Sequence, residues 1–344
     1  MFHIGIIGCG RIAQWRHIPE YAANDQVRLT AFYDLDWSRA DALARQYGGR
    51  AYRRVEELLA DPDVDAVSVC TANNAHASLS VAALRAGKHV LCEKPMATTM
   101  EDCMAMVRVA ENSGKVLMIG HNQRLDPAHV LAHDLIAQGT IGKILTFRAC
   151  FAHGGPEPGA VDPAGFFDRR RAAMGVMADL GIHKTDLIHF LTGQRVVRTT
   201  ARAVTLDKRD AAGNLVGVDD NTICIFELSG GAIGSVTASW TNYGPEENTT
   251  ELYGTLGRLR LYMDPDYPLE LSLRTGETRR YSADEIWNGR PRNSTGVIDA
   301  FVRSMAEGTR PPVTARSALE SMRAVFASME SARTGRGVEI PENW

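Results

Sequence analysis

The chain has 344 residues, which is more than one ordinary hydrophobic core holds, so we expect two domains. Its 38 basic and 41 acidic side chains give a net charge of −3. This balance excludes the basic surface of a nucleic-acid-binding protein and the polybasic patch of a membrane-surface protein. A hydrophobic content of 44% with 23% charged residues is typical of a globular protein in water.

The first residues, MFHIGIIGCG, lead directly into an apolar, β-rich run and lack the basic start and cleavage site of an export signal. No apolar run reaches the ~18 residues that a membrane-spanning helix needs. The six cysteines are scattered and form no C-x-x-C pair, which predicts free thiols in a reducing compartment, without disulfides or structural zinc. We therefore expect a cytoplasmic protein.

Residues 1–120 alternate between apolar β-rich runs and helical patterns. The predicted strands are 3–8, 27–34, 64–71, 89–95 and 116–120. The predicted helices are 12–23, 37–48, 55–61, 76–87 and 100–114. Apolar strands separated by helices predict a parallel sheet covered on both faces, as in a doubly wound Rossmann domain.

The pattern changes after residue 142, where β-rich segments follow one another without helices between them. They are 144–152, 196–204, 221–228, 232–240, 248–254, 257–263 and 268–274. This order predicts an open, mostly antiparallel sheet in a second α/β domain, 121–344, with a hairpin at Ser229-Gly230-Gly231. We also predict one helix within 172–193, a loop at 153–165, and closing helices at 296–307 and 315–333.

A glycine-rich motif joins the first strand to the first helix. Gly8-Cys9-Gly10-Arg11-Ile12-Ala13 has the form G-x-G-x-x-A. The first glycine makes the tight turn, the second lets the backbone approach a pyrophosphate, and the alanine permits close packing of helix on strand. The alternative is a turn without a ligand, but the flanking strand and helix favour a dinucleotide site.

Asp34 ends the second predicted strand, 21 residues after Ala13. A carboxylate at this place accepts hydrogen bonds from both hydroxyls of the adenosine ribose and repels a 2′-phosphate. No arginine stands immediately beside Asp34 in the sequence, and Asp36 follows it. The predicted cofactor is therefore NAD rather than NADP.

Lys94 lies in CEKP, at the carboxyl end of the strand 89–95, where ligands of open α/β sheets bind. Its positive charge and three donors suit a reacting substrate oxygen. On local grounds alone, a surface lysine before a turn is the usual interpretation of such a Lys-Pro pair. Glu93, Thr71 and Asn73 also lie at carboxyl ends of predicted strands, which places them near the cofactor.

The segment ADLGIHKTD brings Asp179 and His183 to one helical face, at i and i+4. The pair could be an acid–base centre, a hydrogen-bonded core pair or half of a metal site. His189 lies about 80° away from Asp179 around the helix, so a three-ligand metal site is not predicted. Asp186 either orients the His183 ring or makes a structural hydrogen bond.

Two further histidines are candidates on local grounds. His76 follows the strand that ends at Thr71, and either bridges the cofactor and the active-site loop or caps a helix. His153 ends the strand 144–152 and opens a loop rich in glycine and proline, so it either contacts substrate or is a loop histidine.

Five segments in order resemble the Gfo/Idh/MocA family of oxidoreductases, named after glucose–fructose oxidoreductase and inositol dehydrogenase. They are GIIGCGRIA, TANNAHASLSVAALRAGKHVLCEKPMA, GHNQRLDP, ADLGIHKTDLIHFLTG and ELYGTLGRLRL. The resemblance implies a Rossmann domain, a C-terminal domain whose open sheet packs against another subunit, and a homodimer or homotetramer. It also implies that Lys94, Asp179 and His183 form the catalytic group, with His183 as proton acceptor.

The chain departs from the family pattern at two places. Where relatives often have three glycines before the Asp–His pair, this chain has AAMGVMAD and keeps only Gly175. Met174 is bulkier than glycine and is expected to reshape the pocket. His121 stands where many relatives have an apolar or aromatic residue, whereas Asn122 and Arg124 match residues that line the nicotinamide side.

We therefore predict an NAD-dependent oxidoreductase that transfers a hydride between nicotinamide and a secondary alcohol of a sugar, inositol or polyol. Predicted cofactor-binding residues are Gly8, Gly10, Arg11, Ile12, Ala13, Asp34, Thr71, Asn73, His76, Glu93, Lys94 and Asn122. Predicted substrate-binding residues are Lys94, Arg124, His153, Asp179 and His183. An NAD-using glycosidase of the same family and a non-catalytic sugar- and NAD-binding regulator are the alternatives.

Overall fold

The computed structural model describes residues 1–157, 163–287 and 294–342, with backbone alone for residues 163 and 164. Two sheets organise the chain, one of six strands and one of nine. No helix within these ranges is both long and apolar enough to span a membrane.

The first sheet is parallel throughout, in the order β3-β2-β1-β4-β5-β6. Its strands are β1 Phe2–Ile7, β2 Val27–Tyr33, β3 Arg50–Tyr52, β4 Ala66–Val69, β5 His89–Cys92 and β6 Leu117–Ile119. The strand order reverses between β1 and β4, which creates the crevice where α/β sheets bind ligands. β3 is a short edge strand absent from the sequence prediction.

Helices cover both faces of this sheet, as its apolar strands require. They are α1 Ile18–Ala22, α2 Trp37–Tyr47, α3 Val55–Ala60, α4 His76–Arg85 and α5 Met100–Ser113. A five-residue π-helical turn, Ala13–His17, precedes α1. Gly48 and Gly114 end α2 and α5 with φ values of 75° and 66°, which explains the glycine stops in the sequence.

The second sheet has the order β14-β13-β12-β11-β7-β10-β9-β8-β15, and only β7 and β10 run parallel. Its strands are β7 Ile144–Ala152, β8 Val196–Val204, β9 Asn221–Leu228, β10 Ile233–Ser239, β11 Glu247–Gly254, β12 Gly257–Leu261, β13 Leu269–Leu273, β14 Thr278–Tyr281 and β15 Val338–Glu339. The predicted mixed fold, a Rossmann sheet followed by an open and mostly antiparallel sheet, is confirmed.

The remaining helices contact the second sheet, the first domain or each other. They are α6 Pro127–Ala137, α7 Pro163–Phe167, α8 Arg169–Ala172, α9 Ile182–Thr192, α10 Val297–Glu307 and α11 Ala315–Thr334. α11 packs on β8 of the second sheet and on α5 of the first. The proposed domain border between residues 120 and 121 stays a prediction.

Three local expectations need correction. The segment 153–165 was expected to be a loop, but α7 begins at Pro163, and residues 158–162 lie outside the described ranges. The segment 172–193 is not one helix: α8 ends at Ala172, and a π-helical turn, Met177–Gly181, leads into α9. α6 was not predicted at all, although Pro127 at its start and the Asp126 cap are ordinary helix-start signals.

Candidate active site

A cleft of about 1220 Å³ runs along the carboxyl ends of β1, β2, β4 and β5. The first sheet forms one wall, and the π-helical turn 177–181, the start of α9 and the ends of β7 and β10 form the other. Both parts of the chain therefore contribute to a single cleft.

The glycine-rich motif lies at the floor of this cleft. Gly8 has a φ of +91°, and a β-carbon there would lie 2.6 Å from the carbonyl oxygen of Cys70. A β-carbon on Gly10 would meet open space, so a ligand can approach this backbone closely. Arg11 and Ile12 line the cleft, whereas Ala13 is fully buried and serves packing rather than ligand contact.

Asp34 lies at the end of β2 and lines the cleft, as predicted. Its Oδ2 accepts from the backbone N–H of Cys9 at 2.7 Å, and its Oδ1 accepts from that of Asp36 at 2.7 Å. Arg39, in the first turn of α2, brings a guanidinium nitrogen to 3.5 Å from Oδ1. No arginine is adjacent to Asp34 in the sequence, but the first turn of α2 brings Arg39 beside it in space.

Thr71, Asn73 and His76 all line the cleft where β4 ends. The buried His76 ring places Nδ1 2.8 Å from the carbonyl oxygen of Pro95 and Nε2 3.1 Å from that of Thr71. His76 thus joins the end of β4 to the loop after Lys94. Burial lowers the pKa of His76, which favours a neutral ring that donates through one nitrogen.

Glu93 is hydrogen-bonded by His17, which lies in the π-helical turn after the glycine motif. His17 places Nε2 2.8 Å from Glu93 Oε1, and its Nδ1 lies 3.1 Å from Ser68 Oγ. Burial opposes ionisation of Glu93, but the hydrogen bond from His17 and the nearby charges of His17 and Lys94 together outweigh it and hold the pKa of this carboxyl below its usual range. Sequence analysis did not single out His17, which faces Glu93 only after the helix has packed on the sheet.

Lys94 and Asp179 meet across the cleft. Lys94 Nζ donates to Asp179 Oδ1 at 2.8 Å and to the Asp179 carbonyl oxygen at 3.0 Å. Asp179 Oδ2 accepts from the indole N–H of Trp240 at 3.1 Å. Both charged side chains are more than four-fifths buried, so this ion pair is held more firmly than a surface pair.

His183 lines the same cleft, one helical turn after Asp179. Its Nδ1 is buried and has no hydrogen-bond partner among the described residues. Burial lowers the pKa of His183 well below its usual value, and the positive charge of Lys94 lowers it further. Both effects favour the neutral ring that a general base requires.

Arg124 does not lie where the sequence prediction placed it. It is buried and does not line the cleft, because its guanidinium donates to both oxygens of Asp186 at 2.6 Å. Asp186 also accepts from Ser321 Oγ at 3.0 Å. Of the two roles considered for Asp186, the structure shows the structural hydrogen bonds and no direct bond to His183.

The wall of the cleft opposite the first sheet also contains Phe151 of β7, His153 in the loop after β7, and Met174, which follows α8. The Phe151 and His183 rings lie 5.8 Å apart. His153 Nδ1 accepts from the Gly155 N–H at 3.0 Å. Met174 lines the pocket, as the departure from the family pattern suggested.

Close packing explains why a glycine is present at position 175. A β-carbon there would lie 1.9 Å from the carbonyl oxygen of Asp219. The Asp219 carboxylate accepts from the N–H groups of Gly175 at 2.7 Å and Met177 at 2.9 Å. This contact fixes the backbone that leads to Asp179.

Trp240 is the clearest site residue that sequence analysis missed. It is fully buried, lines the cleft, and lies directly after β10. A tryptophan at the end of a strand is a weak signal, because its contact with Asp179 depends on how β10 packs under the turn 177–181. Within the described ranges, no three His, Cys, Asp or Glu side chains converge as metal ligands.

Two family models match this chain. Residues 2–121 match the NAD-binding Rossmann domain of the Gfo/Idh/MocA oxidoreductase family, and residues 129–260 match a C-terminal domain of that family. The chain is 32% identical to the 1,5-anhydro-D-fructose reductase of Ensifer adhaerens, with 98% of each chain covered. The protein belongs to the Gfo/Idh/MocA family.

Other family members resemble it over the whole length. The myo-inositol 2-dehydrogenase of Thermotoga maritima is 26% identical, with 98% of each chain covered. A levoglucosan dehydrogenase solved with NADH and levoglucosan has a TM-score of 0.88 at 26% identity, covering 99% of this chain and 100% of that one. The predicted family, the nicotinamide-dependent dehydrogenase class and NAD as cofactor are confirmed.

The cleft residues fit NAD. The open space over Gly10 admits a pyrophosphate, and the Asp34 carboxylate suits a ribose diol. Asn122 lines the cleft, and its buried Oδ1 has no partner among the described residues, so it offers an acceptor to a ligand amide.

Proposed function

We propose that this Gfo/Idh/MocA protein interconverts a secondary alcohol of a sugar, inositol or related polyol with the corresponding ketone, using NAD. The observation that carries the proposal is the Lys94–Asp179 pair at 2.8 Å beside His183, in a cleft that also contains the glycine-rich loop. A proton acceptor, a cation and a carboxylate thus lie together where a hydroxyl group would react.

NAD, when bound, would supply the hydride acceptor for the alcohol carbon. His183 takes the hydroxyl proton on Nε2, because its other nitrogen is buried. Lys94 has three donors and gives two to Asp179, which leaves one for the reacting oxygen. Its charge stabilises the negative charge that develops on that oxygen.

Asp179 binds a neighbouring substrate hydroxyl. Its two oxygens each accept one hydrogen bond, from Lys94 and from Trp240, and each retains lone pairs for a donor from the substrate. Vicinal hydroxyl groups of a sugar or cyclitol suit this arrangement, because one reacts at His183 while the next binds Asp179. The named relatives, which act on an anhydro-sugar, an inositol and levoglucosan, support the same substrate class.

A substrate screen tests the proposal. Purified protein is mixed with NAD and a panel of inositols, aldoses and anhydro-sugars, and with NADH and the matching ketones, while NADH absorbance is followed. We expect turnover of at least one member of the panel. Release of a chromogenic aglycone without net NADH would favour the glycosidase, and tight sugar binding without turnover would favour the regulator.

Replacement of Lys94 tests the proposed site most directly. Lys94→Ala should lower kcat by on the order of a thousandfold or more, because it removes the donor and charge that stabilise the reacting oxygen. NAD affinity, measured by fluorescence titration, should change little. Lys143→Ala, at an exposed position far from the cleft, is the matched control. Full activity of the Lys94→Ala protein would contradict the role proposed for this residue.

We also propose that the protein is a homodimer or homotetramer assembled through the outer face of the second sheet. Ile223, Ile225 and Ile233 project from that face and are 55%, 55% and 52% exposed. Their neighbours Cys224 and Phe226 point the other way and are fully buried. An apolar row of this kind is typical of a subunit interface.

A cytoplasmic location stays a prediction.

A further inference from the structure

His121, two residues after β6, is buried beneath the cleft, and its side chain makes no hydrogen bond to the described residues. It is 1% exposed, and neither ring nitrogen has a partner among the described residues. Buried polar groups in folded proteins are nearly always hydrogen-bonded, directly or through water. His121 is therefore one of the described residues at which the polar network around the site is incomplete.

The nearest ring to His121 is that of His183. The two ring centroids lie 6.2 Å apart with the planes at 87°, so the nitrogens are too far apart for a direct hydrogen bond. A separation of this size between two polar groups is the usual place for a bridging water. The unpartnered Nδ1 of His183 is the second buried group that such a water would satisfy.

On its other side, His121 faces a carboxylate whose position is fixed. His121 Nε2 lies 3.9 Å from Asp186 Oδ1. Asp186 is held by Arg124 and by Ser321, whose hydroxyl also lies 3.3 Å from Nδ1 of His189.

The carboxyl group of Asp186 is held in its ionised form. Burial raises the pKa of Asp186, but the guanidinium of Arg124 outweighs this effect and lowers it below its usual range. A permanent negative charge next to His121 favours the tautomer with the proton on Nε2 and leaves Nδ1 of His121 as an acceptor.

We propose that His121 is a positioning residue that accepts the Nδ1–H of His183 through one bridging water and couples it to Asp186. This inference rests on the proposed function of His183 as the base. With its proton held on Nδ1, His183 presents the bare Nε2 to the substrate hydroxyl. The Asp186 charge then stabilises the imidazolium that forms, by the same logic as the carboxylate behind a catalytic histidine in a triad.

Several other charges act on the two rings and set the background for any pH effect. They are Lys94 and Glu93 at the end of β5, Arg124 in the segment 122–125, and Asp186 and Lys184 on α9. Because these charges are the same in every variant below, differences in pH dependence report the His121 contact.

The test compares three variants. His121→Phe should lower kcat by on the order of tenfold to a hundredfold with little change in KM, because only proton transfer is impaired. The acid limb of its pH–rate profile should move to lower pH, since the His183 imidazolium loses an acceptor.

His121→Gln, whose amide oxygen can still accept, should recover most of the activity. His129→Gln is the control, because His129 is also buried with an unpartnered Nε2 but its ring lies beside Tyr262 rather than beside His183.

A second measurement does not depend on turnover. ¹⁵N NMR of the wild-type protein, with the His183 signal assigned from a His183→Asn spectrum, should show the proton on Nδ1, and His121→Phe should abolish that preference. Wild-type rates in the phenylalanine variant, or a His183 proton on Nε2 in the wild type, would overturn the proposal. Failure of the substrate screen with the expected NMR result would instead contradict the proposed function alone.

Discussion

At the scale of single residues, the reacting groups depend on a few well-directed hydrogen bonds. Trp240 is an example, because its indole N–H binds the oxygen of Asp179 that Lys94 does not use. With both oxygens bound, the carboxylate cannot rotate freely, so its remaining lone pairs keep one direction. The orientation of Asp179 therefore depends on a residue sixty-one positions away in the chain.

We expect Trp240→Phe to lower kcat/KM by roughly tenfold to a hundredfold, because a hydrogen bond to a charged group contributes about 1.5–3 kcal/mol. Phenylalanine retains an aromatic ring against Phe167, so the fold should persist. Steady-state kinetics on a substrate from the screen measure the effect. Trp287→Phe, at an exposed position that does not line the cleft, is the control and should leave the rate unchanged.

At the scale of elements, the turn 177–181 and α9 carry Asp179 and His183, and one carboxylate anchors their start. Asp219 accepts from the backbone N–H groups of Gly175 and Met177 and from the Thr222 hydroxyl. It therefore satisfies donors that a helix start leaves without partners. The anchor joins this helix to the beginning of β9.

Asp219→Ala should lower the melting temperature and reduce kcat, because the loss of a buried acceptor leaves two backbone donors unpaired, at about 1–3 kcal/mol each. Asp210→Ala is a matched control, since Asp210 accepts from the N–H groups of Ala212 and Asn214 in an exposed turn. Calorimetry and kinetics should show a large change for Asp219 and a small one for Asp210. Equal effects in the two variants would argue against the anchor.

At the scale of the whole molecule, the second sheet separates a helix-covered face from an outer face that exposes a row of isoleucines. Phe226 and Val236 pack on the inner side, whereas Ile223, Ile225 and Ile233 point outward. Alternation along β9 produces this division, because neighbouring strand residues face opposite sides. The outward row suits the symmetric contact of a homo-oligomer.

Ile225→Glu should convert the oligomer into monomers, because it places a charge in the centre of an apolar interface. Sedimentation velocity measures the change. Leu206→Glu is the control, since Leu206 is 66% exposed in a loop rather than on the sheet. A wild-type protein that sediments as a monomer would contradict the proposed assembly.

The sequence by itself determined the features that depend on neighbouring residues. The glycine motif, Asp34, the strand that ends at Lys94 and the helical spacing of Asp179 and His183 could all be predicted, because each is a local pattern of turn chemistry, strand or helix periodicity. The alternation of strands and helices predicted the first sheet, and the succession of strands without helices between them predicted the second. The short edge strands β3 and β15 have too few residues to show such a pattern.

Only the tertiary structure decided which distant residues meet. It paired Arg124 with Asp186 rather than with a ligand, brought Arg39 to Asp34, and placed Trp240 against Asp179. It also left His121 beneath His183 without a direct partner. These contacts follow from sheet register and from the way helices pack between two sheets, and neither is encoded in the spacing of residues along the chain.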